Sequence, residues 1–165
     1  MAKDSSFDVV SEIDRQEVDN ALNQAKKELH QRFDFKGTDA DIKWTGDLSI
    51  EIHTNAEHRT TAALEVFKEK IVKRHISLKA LNPSPIKPTG GGGFKIDVEI
   101  NKGIADEKAR EIVKTVKQAN IKGVQVAIQG DQLRVTGKSK DSLQAAIQLM
   151  KEKDFGIPLQ FVNYR

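Results

Sequence analysis

The feature that most constrains this chain is that it is written twice. Phe7-Asp-Val-Val-Ser-Glu-Ile13 and Phe94-Lys-Ile-Asp-Val-Glu-Ile100 alternate like two copies of one strand, 87 residues apart. The same offset of 87 carries Leu22, Ala25 and Leu29 onto Ala109, Ile112 and Val116, so a helical stripe follows each strand. Asp14-Arg-Gln-Glu17 has the spacing of a capping box and predicts where the first helix begins. Each half then shows a hairpin. Ile42–Ile52 turns at Gly46-Asp47, and Val124–Val135 turns at Gly130-Asp131. Second helices are predicted from Leu64, Phe67 and Ile71, and from Leu143, Ala146, Ile147 and Met150, the latter stopping at Gly156 with Pro158 beyond. Short strands, Ile76–Leu81 and Leu159–Tyr164, close the halves.

The order β-α-β-β-α-β, repeated, defines an α+β class: a tandem of two ferredoxin-like domains with antiparallel sheets. Between them, Asn82–Gly93 holds three of the four prolines and four consecutive glycines. That mixture suits neither helix nor strand and predicts a linker at 82–93. The expected domains are 1–81 and 94–165. The similarity of residues 7–13 and 94–100 also permits the two first strands to be exchanged between the sheets.

The chain has 165 residues and no cysteine, which removes disulfides, thiolate metal sites and cysteine nucleophiles. It has neither a secretory pattern at its start nor an apolar window long enough for a bilayer, so a cytoplasmic protein with no membrane partner is expected. Residues 1–82 carry 13 Lys and Arg against 15 Asp and Glu, and residues 83–165 carry 14 against 9, giving −2 and +5. The second half is therefore the expected side for an anionic partner.

Arg32-Phe-Asp-Phe-Lys-Gly37 reads two ways, as a grip on a phosphate or base or as a joint between helix and strand. The repeat offers a control, because Ile121-Lys122-Gly123 occupies the same place in the second half. Both are an apolar anchor, a cation near the negative helix end and a glycine for the turn, which is the chemistry of a joint. A phosphate contact by Lys36 or Lys122 fits beside it.

Ser6-Phe-Asp-Val-Val-Ser-Glu-Ile13, Arg32–Gly37 and the Pro/Gly-rich crossover closely resemble the YajQ family of small bacterial proteins, over the whole chain. The resemblance implies a tandem of ferredoxin-like domains, likened to RNA-recognition modules, and nucleotide binding, cyclic di-GMP included. It implies no enzymatic activity, and no site residues are carried over from it.

Other motifs read as structure. Gly137-Lys138-Ser139 lacks the glycine that a phosphate-binding loop needs five positions before Gly137, and Leu133 and Val135 fill the interval as strand. Ser139 reads as a helix cap. Gly90–Gly93 precedes a strand, which suits a hinge better than an anion nest. His30, His53, His58 and His75 show no paired helical spacing, and neither a metal, a cofactor nor a catalytic set is expected. On the open sheet faces the alternation exposes Lys95, Asp97, Glu99, Gln125, Ala127, Gln129, Arg134 and Thr136 in one half, and Lys43, Thr45, Ser49, Glu51 and His53 in the other. Neither face offers a stacking aromatic, which weighs against base-by-base RNA reading.

Two functions lead: a non-enzymatic receptor for a small nucleotide (cyclic di-GMP, ATP or GTP), and an RNA-associated module contacting backbone phosphates; a purely structural interaction domain, which would bind no nucleotide, is the third reading. A protein partner fits either. The candidate nucleotide ligands are Lys95, Lys122 and Arg134, with Lys36 in reserve.

Overall fold

The computed structural model describes residues 4–165. In chain order its elements are β1 (Ser5–Val10), α1 (Arg15–Gln31), β2 (Asp41–Gly46), β3 (Ser49–Thr54), α2 (Glu57–Lys73), β4 (Leu81–Pro83), β5 (Lys87–Pro88), β6 (Phe94–Ile100), α3 (Asp106–Gln118), β7 (Val124–Gln129), β8 (Gln132–Gly137), α4 (Lys140–Glu152) and β9 (Gln160–Val162). They form two βαββαβ-like halves with antiparallel sheets, as the repeat predicts.

The sheets do not follow the linker. One runs β7-β8-β1-β9 and the other β2-β3-β6-β4, with β5 also pairing β6. The compact units are Ile13–Asn101 on one side and the N-terminal residues to Glu12 plus Lys102–Arg165 on the other, in place of 1–81 and 94–165. Each sheet takes its first strand from the other half of the repeat. In ferredoxin-like order that strand is central, so the exchange involves the middle of both sheets.

Opposite charges meet across this pairing. Asp8 and Lys95, 87 residues apart, lie opposite Arg134 and His53 respectively. The exchanged pairing sets Asp8 against Arg134 and brings Lys95 to Glu51, 3.7 Å away. Phe7 and Val9, like Ile96 and Val98, alternate onto a helix-covered face.

In the unit Ile13–Asn101, α1 and α2 cover one sheet face through Val18, Leu22, Leu29, Leu64, Phe67 and Ile71, packed on Ile42, Ile50, Ile52, Ile96, Val98 and Ile100. Asp14 caps α1 by accepting the N–H groups of Gln16 and Glu17 at 3.1 and 3.3 Å. Glu17 does not complete the capping box, since its carboxylate is taken by Asn20 and Arg74. The predicted strand 76–81 is mostly a tight helical turn, with pairing only from Leu81 onward. The Pro/Gly segment is no loose hinge. Lys87 and Pro88 pair with β6, and Thr89 donates its N–H to Gly93 at 2.7 Å. A Cβ on Gly93 would lie 2.5 Å from the His53 ring, so a larger residue there would have to displace that side chain.

In the other unit, α3 and α4 pack Ala109, Ile112, Val116, Leu143, Ala146, Ile147 and Met150 onto Phe7, Val9, Leu133 and Val135. Helix α4 ends at Glu152, earlier than Gly156, which serves the loop beyond with φ of 79°.

Candidate functional site

Arg32–Gly37 is a joint. Arg32 is spent within the chain, its guanidinium donating to Asp34 at 3.0 and 2.7 Å and to Glu28 at 3.3 Å. Phe35 is 3% exposed and anchors the turn in the core, whereas Phe33 is 86% exposed. Gly37 and Gly123 both have φ of 77°, so the two joints share the left-handed turn that favours glycine. Lys36 and Lys122 are exposed beside these glycines and make no ion pair among the described residues. Lys36 also borders a cleft of about 520 Å³ with Lys26, His30, Asp39 and Asp41.

Lys95 belongs to the unit Ile13–Asn101 and not with Arg134 and Lys122. It sits on an open face that neutralises itself. Lys43 reaches Glu51 at 3.4 Å, Lys95 reaches Glu51 and Asp97 at 3.7 and 3.5 Å, and Lys87 reaches Asp97 at 3.4 Å. A phosphate arriving at Lys95 must compete with two carboxylates. Counted by structural unit, Ile13–Asn101 holds 14 cations and 14 carboxylates and the remainder 13 and 10, so the charge asymmetry shrinks to 0 against +3. Cutting the repeat at the linker had exaggerated it.

The open face of the sheet β7-β8-β1-β9 is built differently. Its centre is Asp8, 2% exposed although it lies on the face away from the helices. Arg134 donates Nε to Asp8 Oδ1 at 3.0 Å, Asn163 donates its amide to Oδ2 at 2.8 Å, and the Arg165 guanidinium lies 3.6 Å from Oδ2. The Arg134 guanidinium, with the Asn163 amide, holds the Asp8 carboxyl below the ordinary range against the opposing effect of burial. Because Asp8 takes Nε, the two terminal nitrogens of Arg134 are without a partner among the described residues. Ala127 is its neighbour across the β7–β8 ladder, and Gln125, Gln129 and Gln132 share the face. Lys122 stands just before β7, at the end where Gln125 pairs Thr136. The arrangement is a fixed, forked cation amid amide donors and acceptors. It suits a phosphate with an adjacent polar ring, and it contains no aromatic platform.

Asp8, Asn163 and Arg165 escaped the sequence reading because their role depends on the strand exchange. The available signal was a single carboxylate in the apolar run Phe7-Asp-Val-Val10, repeated with opposite sign at Lys95.

Lys138 follows β8, and Ser139 caps α4 by accepting the Ser142 N–H at 3.1 Å. Gly137 is a packing glycine, since a Cβ there would lie 2.9 Å from Leu143. No helix among the described residues is long and apolar enough to cross a membrane.

Comparison with known proteins agrees over the whole length. The family model for nucleotide-binding protein YajQ-like matches residues 5–165. A nucleotide-binding protein of Thermobifida fusca is 51% identical over 165 residues, covering 100% of both chains. Nucleotide-binding proteins of Acidothermus cellulolyticus and Nocardia farcinica are each 55% identical, covering 98% of this chain and 99% of theirs. The chain thus belongs to the YajQ-like nucleotide-binding protein family.

Proposed function

We propose that this chain is a non-enzymatic receptor for a small nucleotide such as cyclic di-GMP, with ATP and GTP as alternative ligands. The observation that carries the reading is the Asp8-anchored Arg134. Its orientation is fixed by a buried carboxylate while its terminal nitrogens remain available, so little side-chain freedom is lost when a phosphate docks. The neighbouring glutamines supply hydrogen bonds for base edges, and Lys122 adds a point charge at the rim. Lys36, on the equivalent joint of the other unit, is the counterpart cation. Lys95 is the weakest of the four, because its charge is already engaged.

Calorimetric titration of the intact protein with cyclic di-GMP, ATP, GTP and single-stranded oligouridylate, repeated at several salt concentrations, tests the proposal. The expected result is saturable binding of a small nucleotide with shallow salt dependence, since few phosphates are neutralised. Arg134→Ala should weaken it about ten- to a hundred-fold, the loss of one charge-assisted contact. Steep salt dependence with oligouridylate and no small-nucleotide binding would instead establish an RNA-associated module.

A further inference from the structure

Strand β7 is an edge strand, and it lacks the usual protection. Edge strands are ordinarily blunted by charge, proline, irregularity or shortness. The others here comply. β2 carries Lys43 and an irregularity between Trp44 and Gly46, β4 and β5 contain Pro83 and Pro88, and β9 has three residues. Val124-Gln-Val-Ala-Ile-Gln129 has six residues with no charge, no proline and an unbroken register against β8.

The hairpin fixes which backbone groups are free. Gly130, with φ of 64°, and Asp131 form a two-residue loop closing the pair Gln129 and Gln132. In such a hairpin the closing pair exchanges both bonds, and every second pair does so after it. Gln129, Ala127 and Gln125 therefore bond β8, while Val126 and Ile128 turn their N–H and C=O groups outward. The side chains of Val126 and Ile128 lie on the helix side, and Ile128 is 44% exposed. Beside them, a groove of about 440 Å³ is lined by Ile128 and Val113 together with Arg110, Lys114 and Lys117 of α3. These three cations are exposed and make no ion pair or side-chain hydrogen bond among the described residues, and no carboxylate lines the groove.

We propose that β7 and α3 form a docking site for an extended acidic segment of a partner protein, which adds to β7 as an antiparallel strand. Its residues opposite Val126 and Ile128 bond the free backbone groups, and their side chains turn toward α3. Carboxylates at alternate positions thus meet Arg110, Lys114 and Lys117. A second copy of this chain is disfavoured as occupant, because joining β7 to β7 would set two α3 cation rows side by side.

The test is an amide-resolved titration of the full chain with a blocked nine-residue peptide of alternating glutamate and threonine. It is repeated with the same peptide N-methylated at each glutamate and with a lysine–threonine version. The expected result is binding that shifts the Val126 and Ile128 amides. It should fall at least about tenfold on N-methylation and in Lys114→Glu, whose substitution is on an exposed helix face. The lysine version should not bind. Equal binding of the methylated peptide, no binding of the glutamate peptide, or shifts confined to other strands would overturn the proposal. So would oligouridylate occupying the α3 row in place of the peptide, or self-association of the chain that the peptide cannot displace.

Discussion

Asp8 and Arg134 are 126 residues apart in sequence and directly opposite each other on β1 and β8, with Nε donating to Oδ1 at 3.0 Å. The pair ties β1 to β8, and it orients the cation proposed to meet a nucleotide.

Asp8→Asn should destabilise the protein by about 1.5–3 kcal/mol, the scale of hydrogen bonds to a charged group. The cost stays below that of a fully buried pair because the side chains of Arg134 and Arg165 are 35% and 50% exposed and can be hydrated. The folded-state carboxyl titrates below its unfolded value of about 3.9. Its contribution is therefore complete above that value and is lost as pH falls through the folded pKa. Urea melts of parent and Asp8→Asn should differ by a constant amount from neutral pH to about pH 5 and converge below about pH 4. A gap that persists undiminished in acid would assign the effect to packing.

Nucleotide affinity should respond unequally to the four cations. Arg134→Ala and Lys122→Ala should each weaken binding, with losses approaching about ten- to a hundred-fold for Arg134. Lys95→Ala should cost little, since the change removes a cation already shared between Glu51 and Asp97. Calorimetry of the single variants, with circular dichroism to check folding, decides the matter. If Lys95→Ala or Lys36→Ala alone abolishes binding, the ligand sits on the unit Ile13–Asn101.

The two phenylalanines of Arg32–Gly37 should separate by stability. Phe35→Ala empties a core position and should cost about 3–5 kcal/mol. Phe33→Ala should fall within about 0.5 kcal/mol, as surface changes do. Thermal or urea unfolding of the two variants measures both. Similar losses would mean that Phe33 carries packing as well.

Much of the architecture was legible because it rests on local periodicity. Phe94–Ile100, the hairpin around Gly130 and the Ser139 cap all stand where alternation and turn chemistry put them. Helix α4 ends early because a glycine beyond a helix marks a left-handed turn without saying how many residues precede it. The site was less legible. Lys95 and Arg134 share one half of the sequence but belong to different units, and Asp8, the carboxylate that orients Arg134, lies in the opposite half. The alternation of apolar residues is the same in both first strands and cannot choose between sheets. The exchange is visible only in the pairing of β1 with β8 and of β6 with β3, which no local pattern in either strand announces.

The exchange also predicts which pieces of the chain fold alone. A cut at the linker yields 1–81, without the β6 strand that lies between β3 and β4, and 94–165, without the β1 strand that lies between β8 and β9. Each fragment loses a central strand and the apolar residues it buries, Ile96, Val98 and Ile100 in one case and Phe7 and Val9 in the other. Truncating any one such residue commonly costs about 2–5 kcal/mol, and whole domains are stable by only about 5–15 kcal/mol. Both fragments should therefore be unfolded when isolated. Residues 13–101, by contrast, are continuous and contain β2, β3, β4 and β6 with both covering helices. That fragment should give a cooperative urea transition and dispersed amide resonances, with the single Trp44 as a fluorescence reporter. A cooperative transition from isolated 1–81, or an unfolded 13–101, would show that the exchanged pairing does not set the folding units.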